Sequence, residues 1–231
     1  MHFSKKPECL ICNRRGLEAL EAYADVISER GIPCFMADDE VISILSDTVT
    51  PQGVVAVSPL LHVEAATLVV GDSSVILVAN RVRDPGNLGN MIRIADAAAC
   101  DGVIVCRESA DPYNPKTVRS TAGSIFHIPM AVGGSIVETV SELKRAGLAV
   151  YLAHAHKGKD MWETEWPDKF ALVMGNEAWG IPEEEEPMAD GVVRIPVFGK
   201  AESLNVSSAT ALLLYEARRR RLHNGKAGGK N

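Results

Sequence analysis

Ser74-Val75-Ile76-Leu77-Val78-Ala79 is an unbroken apolar run of strand length, and the polar, Gly- and Pro-containing segment 80–86 follows it at once. A run without alternation belongs to a strand buried on both faces, the condition of a parallel sheet. A helical pattern comes next, from about residue 87 to residue 100, with Leu88, Ile92, Ala95 and Ala99 as its core stripe. The same order then repeats toward the C-terminus. Strands are expected at 102–106, 125–128, 149–153, 171–174 and 192–195, and helices near 115–121 and at 135–146, the latter stopped by Gly147. A final helix ends the series. Alternating strands and helices predict an α/β fold with a mostly parallel sheet and helices on both faces, which presents ligand sites at the carboxyl ends of its strands.

The front of the chain is organised differently. Leu17, Leu20, Ala24 and Ile27 predict an amphipathic helix over 17–30, ended by Gly31 and Pro33. Short strands are expected at 33–37 and 54–57, with a helix over 38–45 between them. This makes a small α/β unit at 1–57, a linker at 58–73, a main domain at 74–222 and a basic, flexible tail at 223–231.

Composition narrows the class. The chain has 231 residues, 46% of them apolar, enough for one sizeable core and a small appendage. No stretch approaches the roughly 18 apolar residues of a membrane span, and Met1 to Pro7 lacks the apolar core of a signal peptide. A cytoplasmic protein without membrane contact is expected. Five cysteines, an odd number, stand at 9, 12, 34, 100 and 106 with no disulfide framework, and Cys9 and Cys12 have no second pair at zinc-site spacing. The net charge of −6 argues against indiscriminate coating of nucleic acid. Six basic residues nevertheless gather at 218–231 with no acid among them, so a basic end sits on an acidic body and permits local phosphate contact.

Three strand-end loops carry the chemistry. The first, Asn80 to Arg93, opens a helix where backbone N–H groups lack partners, and places Gly86, Gly89 and Arg93 on a face separate from the core stripe. It holds neither the Gly-Lys-Ser/Thr of a P-loop nor GxGxxG. The second is Met174-Gly175-Asn176-Glu177-Ala178-Trp179-Gly180, two glycines around a carboxylate and an indole. The acidic run Glu183 to Glu186 beyond it reads as a solvated face. The third runs from Ile195-Pro196 through Gly199 to Ser203-Leu204-Asn205-Val206-Ser207, where Ser203, Asn205 and Ser207 offer capping oxygens to the last helix. His154 and His156 stand at the end of one strand and read as pocket lining or surface rather than a metal pair, since no third ligand is near; no metal is expected.

In this order, N-x3-DPxNxGxxxR at 80–93, Gly175-Asn176-Glu177 with Gly180, and Ile195-Pro196 with Ser203-Leu204-Asn205-Val206-Ser207 resemble the three signature motifs of the SpoU (TrmH-like) RNA ribose 2′-O-methyltransferases of the SPOUT superfamily. The resemblance covers residues 74 to about 221, including Pro112 to Lys116 and Gly123 to Phe126. It implies S-adenosyl-L-methionine as cofactor, rRNA or tRNA as substrate, a homodimer, and a deep trefoil knot at the C-terminal end. It also implies Arg93, Asn87, Glu177, Ser203 and Asn205 as catalytic residues. Met174, Gly175, Asn176, Gly180, Ile195, Pro196, Gly199, Ser203 and Leu204 would hold the cofactor. Residues 8–57 resemble only the second half of the L30e-like RNA-binding domain that often precedes such enzymes. A catalytically silent RNA- or ribosome-binding relative is the alternative function; a Rossmann enzyme lacks its fingerprint.

Overall fold

The computed structural model describes residues 6–46, 48–176 and 180–227, which fall into two compact units, 1–61 and 62–231. In the first unit, strand β1 (Cys9–Cys12) is central, parallel to β2 (Cys34–Met36) and antiparallel to β3 (Val54–Val57). The helix expected over 17–30 is broken into α1 (Arg14–Leu20), a 3-10 turn at Glu21–Tyr23 and α2 (Ala24–Glu29). None of residues 17–30 is buried, so no packing holds them to one axis. Helix α3 (Asp39–Ser46) completes the unit.

The second unit begins earlier than expected. A 3-10 turn at Ala65–Leu68 buries Leu68 to 1% exposure in the main core, so residues 62–73 pack as part of the domain rather than as a linker. The elements that follow are β4 (Val75–Ala79), α4 (Pro85–Ala97), β5 (Gly102–Val105), α5 (Pro115–Ser120), β6 (Met130–Val132), α6 (Ile136–Arg145) and β7 (Ala149–Ala153). Then come β8 (Lys159–Asp160), β9 (Phe170–Met174), β10 (Gly191–Arg194) and α7 (Val206–Ala227). The seven strands form one sheet in the order β6-β5-β4-β9-β7-β10-β8, and every pairing is parallel.

Burial follows the parallel-sheet logic. All five residues of β4 and of β9 are buried. Ile76, Val78, Ile104, Val150, Leu152, Ala171 and Val173 share one core with Ile136, Val140 and Leu143 of α6. Residues of opposite parity, such as Leu77, Val103 and Leu172, turn to the other face, where α4 meets β5 and α7 meets β9. Helices therefore cover both faces.

Two expectations fail for local reasons. Residues 125–128 are not a strand: a 3-10 turn spans Ser124–Phe126, and the strand is β6. Ile125 and Ile128 are buried while Phe126 and His127 are exposed, the spacing of a helical turn rather than of a pleat. The last helix continues past residue 222 to Ala227, so the tail is shorter than expected. Three of its four clustered arginines are engaged within the chain. Arg219 and Arg220 pair with Glu216 at 2.8 and 2.9 Å, Arg220 also donates to the Trp162 carbonyl, and Arg221 donates to Ser73 Oγ. No helix among the described residues is long and apolar enough to cross a membrane.

Helix α4 is placed with particular care. Asp84 caps it, its Oδ1 accepting from Asn87 N at 2.9 Å, and Pro85 takes the first turn. Gly89 lets α5 press against it: a Cβ there would lie 2.6 Å from Ser120 Cβ and closer still to the Thr117 carbonyl. Gly89→Ala is therefore expected to destabilise the chain by about 1–3 kcal/mol through overpacking. An exposed helical glycine would instead gain roughly 1 kcal/mol from the same change. The denaturant midpoint distinguishes the two signs. Lys116 Nζ, 2.8 Å from Asp84 Oδ2, holds the Asp84 carboxyl below its ordinary pKa, and the Asn87 N–H assists. A depressed folded value means that this stabilisation is complete above the ordinary aspartate pKa of about 4 and is lost as pH falls below it. Asp84→Asn keeps a capping oxygen, so its stability deficit should hold constant at neutral pH and vanish as pH falls through that range.

Candidate functional site

The carboxyl ends of β7, β9 and β10 lie side by side, and the loops leaving them enclose a cavity of about 250 Å³. Register sets the walls. Met174 ends β9 opposite Ala79 of β4, and Ala153 ends β7 opposite Val193 of β10. The strand-end groups stay paired beyond the last rungs: Asn80 N donates to Met174 O and His154 N to Val193 O, both at 2.9 Å.

Seven of the nine residues expected to hold the cofactor line this cavity: Met174, Gly175, Asn176, Gly180, Ile195, Ser203 and Leu204. Pro196 and Gly199 belong to the same third loop but do not line it. Asn176 and Gly180 close a tight hairpin, each donating its N–H to the other's carbonyl at 2.9 Å. A side chain at Gly175 would run into Gly180, so glycine is required where the two ends of the hairpin meet. Glu177, with Ala178 and Trp179, lies outside the described residues.

Other lining residues escape motif reading. Val193, Val206, Ala209 and Leu213 give apolar wall, and Glu202 and Val197 come from the third loop. The helix period links Val206, Ala209 and Leu213 at i, i+3 and i+7, but only the fold shows that this stripe meets a ligand cavity. His154 and His156 line it as well. His154 Nδ1 accepts from the backbone N–H groups of His156 and Lys157, both at 3.0 Å, which makes it the anchor of its own turn. No group of three or more His, Cys, Asp or Glu among the described residues could share a metal ion.

A second cluster joins the starts of α4 and α7. Asn205 Oδ1 accepts from Ser207 N at 2.9 Å and Ser208 N at 3.4 Å, so Asn205 is the helix cap. Its Nδ2 donates to Asn87 Oδ1 at 2.9 Å, and Ser207 Oγ donates to the same oxygen at 3.2 Å. Of the three capping candidates, Asn205 caps, Ser207 turns to Asn87, and Ser203 lies exposed at the cavity rim. Arg93, further along α4, is exposed and makes no hydrogen bond or ion pair among the described residues. It does not line the cavity of its own chain.

The arrangement is an apolar slot with polar rims, joined through Asn205 to a helix start that leads to an uncommitted guanidinium. The slot can hold a flat, partly apolar ligand, and the exposed Arg93 guanidinium can meet an anionic partner. Known proteins similar to this chain are RNA methyltransferases. The chain is 40% identical over 190 residues to the 23S rRNA (guanosine(2553)-2′-O)-methyltransferase RlmP of Bacillus subtilis, covering 82% of this chain and 74% of that protein. It is 32% identical over 192 residues to the 23S rRNA (uridine(2479)-2′-O)-methyltransferase of Streptomyces viridochromogenes, covering 81% and 67%. The crystal structure of an AdoMet-bound rRNA methyltransferase from Sinorhizobium meliloti matches 94% of this chain and 81% of that one with a TM-score of 0.82 at 33% identity. The family model of the SpoU rRNA methylases matches residues 74–215, which hold all three strand-end loops, and the chain belongs to that family.

Proposed function

We propose that this chain transfers a methyl group from S-adenosyl-L-methionine to the 2′-hydroxyl of a ribose in ribosomal RNA. The observation that carries the reading is the convergence of Met174, Gly175, Asn176, Gly180, Ile195, Ser203 and Leu204 on one cavity, in a chain 40% identical to a 23S rRNA 2′-O-methyltransferase. The donor set suits the cofactor. Val193, Ile195, Leu204 and Leu213 offer apolar wall to an adenine ring, and Glu202, Ser203 and the loop backbone offer polar groups to its ribose and amino acid ends.

The cofactor supplies an electrophilic methyl group on a sulfonium. The chain must then hold a weakly nucleophilic hydroxyl in line and favour the passage of its proton to solvent as the new bond forms. Arg93 is the residue for this. A guanidinium stays charged in proteins, so its role is to grip the neighbouring phosphate and stabilise negative charge developing on the 2′-oxygen. Asn87, held by Asn205 and Ser207, fixes the helix start from which Arg93 projects. Glu177 and Ser203 complete the expected polar set.

Arg93 lies off the cavity of its own chain, and this supports a homodimer whose active sites are completed at the subunit interface. Ser208, Leu212 and Tyr215 form an exposed strip at i, i+4 and i+7 of α7 that suits such an interface. Family membership further supports a trefoil knot through the segment that carries the second and third loops, and a cytoplasmic location, where rRNA is processed. We read the first unit as a shortened L30e-like RNA-binding domain.

Arg93→Ala should abolish methylation of rRNA while leaving S-adenosylmethionine affinity within about twofold of native, since the residue acts on the RNA side. Arg93→Lys should be nearly as inactive, because an ammonium cannot reproduce the bidentate contact. Tritium transfer to rRNA and equilibrium dialysis of the cofactor measure the two quantities. Substantial turnover by the lysine variant would remove Arg93 from the proposed role.

A further inference from the structure

Within the acidic run at 183–186, Glu185 is not solvated. Glu185 is 7% exposed, its Oε1 lies 2.6 Å from the Arg81 guanidinium, and its Oε2 accepts from Asn80 Nδ2 at 3.2 Å. Arg81 Nε donates to Glu108 Oε2 at 2.8 Å, so two carboxylates hold one cation. A buried carboxylate requires such a partner, and breaking the pair from one side leaves an uncompensated charge.

Arg81 is also conformationally unusual. Its φ is +57°, in the left-handed region that costs residues with a Cβ and that glycine adopts freely. In this conformation the Arg81 carbonyl accepts from Asn176 Nδ2 at 2.9 Å. Asn176 in turn closes its hairpin with Gly180, and both residues line the cavity. Strain of this kind persists only where surrounding contacts over-determine it.

We propose that Arg81 is a positioning residue for cofactor binding: its ionic contacts with Glu185 and Glu108 hold it left-handed, and the left-handed backbone aims the carbonyl that fixes Asn176 and the hairpin wall of the cavity. This rests on the reading of the cavity as the cofactor site. The side chain is thus needed for the backbone it imposes, not for any contact with the ligand. Glycine, which reaches the left-handed region without help, should replace it; alanine should not.

The test compares two double variants in the full chain, Arg81→Gly with Glu185→Gln and Arg81→Ala with Glu185→Gln. In both, glutamine removes the buried charge while keeping an acceptor for Asn80. The glycine pair should bind S-adenosylmethionine within about threefold of native, and the alanine pair should bind about tenfold more weakly, reflecting the left-handed cost. In turnover, the alanine pair should raise the cofactor KM by a similar factor while kcat at saturation changes by less than about twofold. Near-ultraviolet circular dichroism confirms folding. Should the alanine pair fail to fold, Arg81→Asn with Glu185→Gln takes its place against the glycine pair, since asparagine enters the left-handed region at lower cost than alanine but less freely than glycine, and it should bind about two- to threefold more weakly than the glycine pair. Equal affinities within a compared pair would overturn the positioning role. A native chain that bound no S-adenosylmethionine would instead sink the reading of the cavity, and the proposal with it.

Discussion

The structure depends on the seating of β9. When the chain reaches Phe170, β4 and β7 are already the flanking strands, and β9 hydrogen-bonds to both in parallel register. Its residues are between 0 and 3% exposed, so every backbone group must find a partner within the sheet. A slip of one residue would turn each side chain to the opposite face. This demand places Met174 and Gly175 beside the ends of β4 and β7, and through β10 it brings in the third loop. The cavity is a consequence of the sheet.

The same economy appears at the helix starts. Asn205 caps α7 and bridges to Asn87 near the start of α4, so the atoms that satisfy orphan N–H groups also lock two helices together. Asp84, Lys116 and the close approach at Gly89 tie α5 into the same corner. Capping and helix-to-helix bridging use one set of groups, which is why polar residues without an evident core role gather there. Arg93 then extends from a helix whose start is held on two sides, while itself remaining unengaged by the chain.

Much of this was legible from residue order. The unbroken apolar run at 74–79 identified a buried parallel strand, and the loops after it and at 175–180 and 195–205 were recognisable by their Gly, Asn and Ser spacing. Failures came where local pattern and tertiary contact diverge. Ile125 and Ile128 are three apart and buried, so a short apolar segment that resembles a strand is a helical turn. Glu185 sits among three other acidic residues and resembles solvated charge, yet the partner that buries it, Arg81, lies about a hundred residues earlier. Three of the four C-terminal arginines looked free for phosphate and are held by Glu216, Trp162, Ser73 and Asp168.

The sequence by itself determined the α/β class and the alternation of strands and helices in the main domain, because apolar periodicity is a local property that the chain carries at every point, and its three loop motifs carried the resemblance to the family. Only the tertiary structure decided which strands adjoin, that Asn205 meets Asn87, and that a left-handed Arg81 pairs with Glu185 and Glu108. Strand order, a hydrogen bond across 118 residues and the burial of a single carboxylate are set by contacts between distant segments, and nothing in the composition of either segment names its partner.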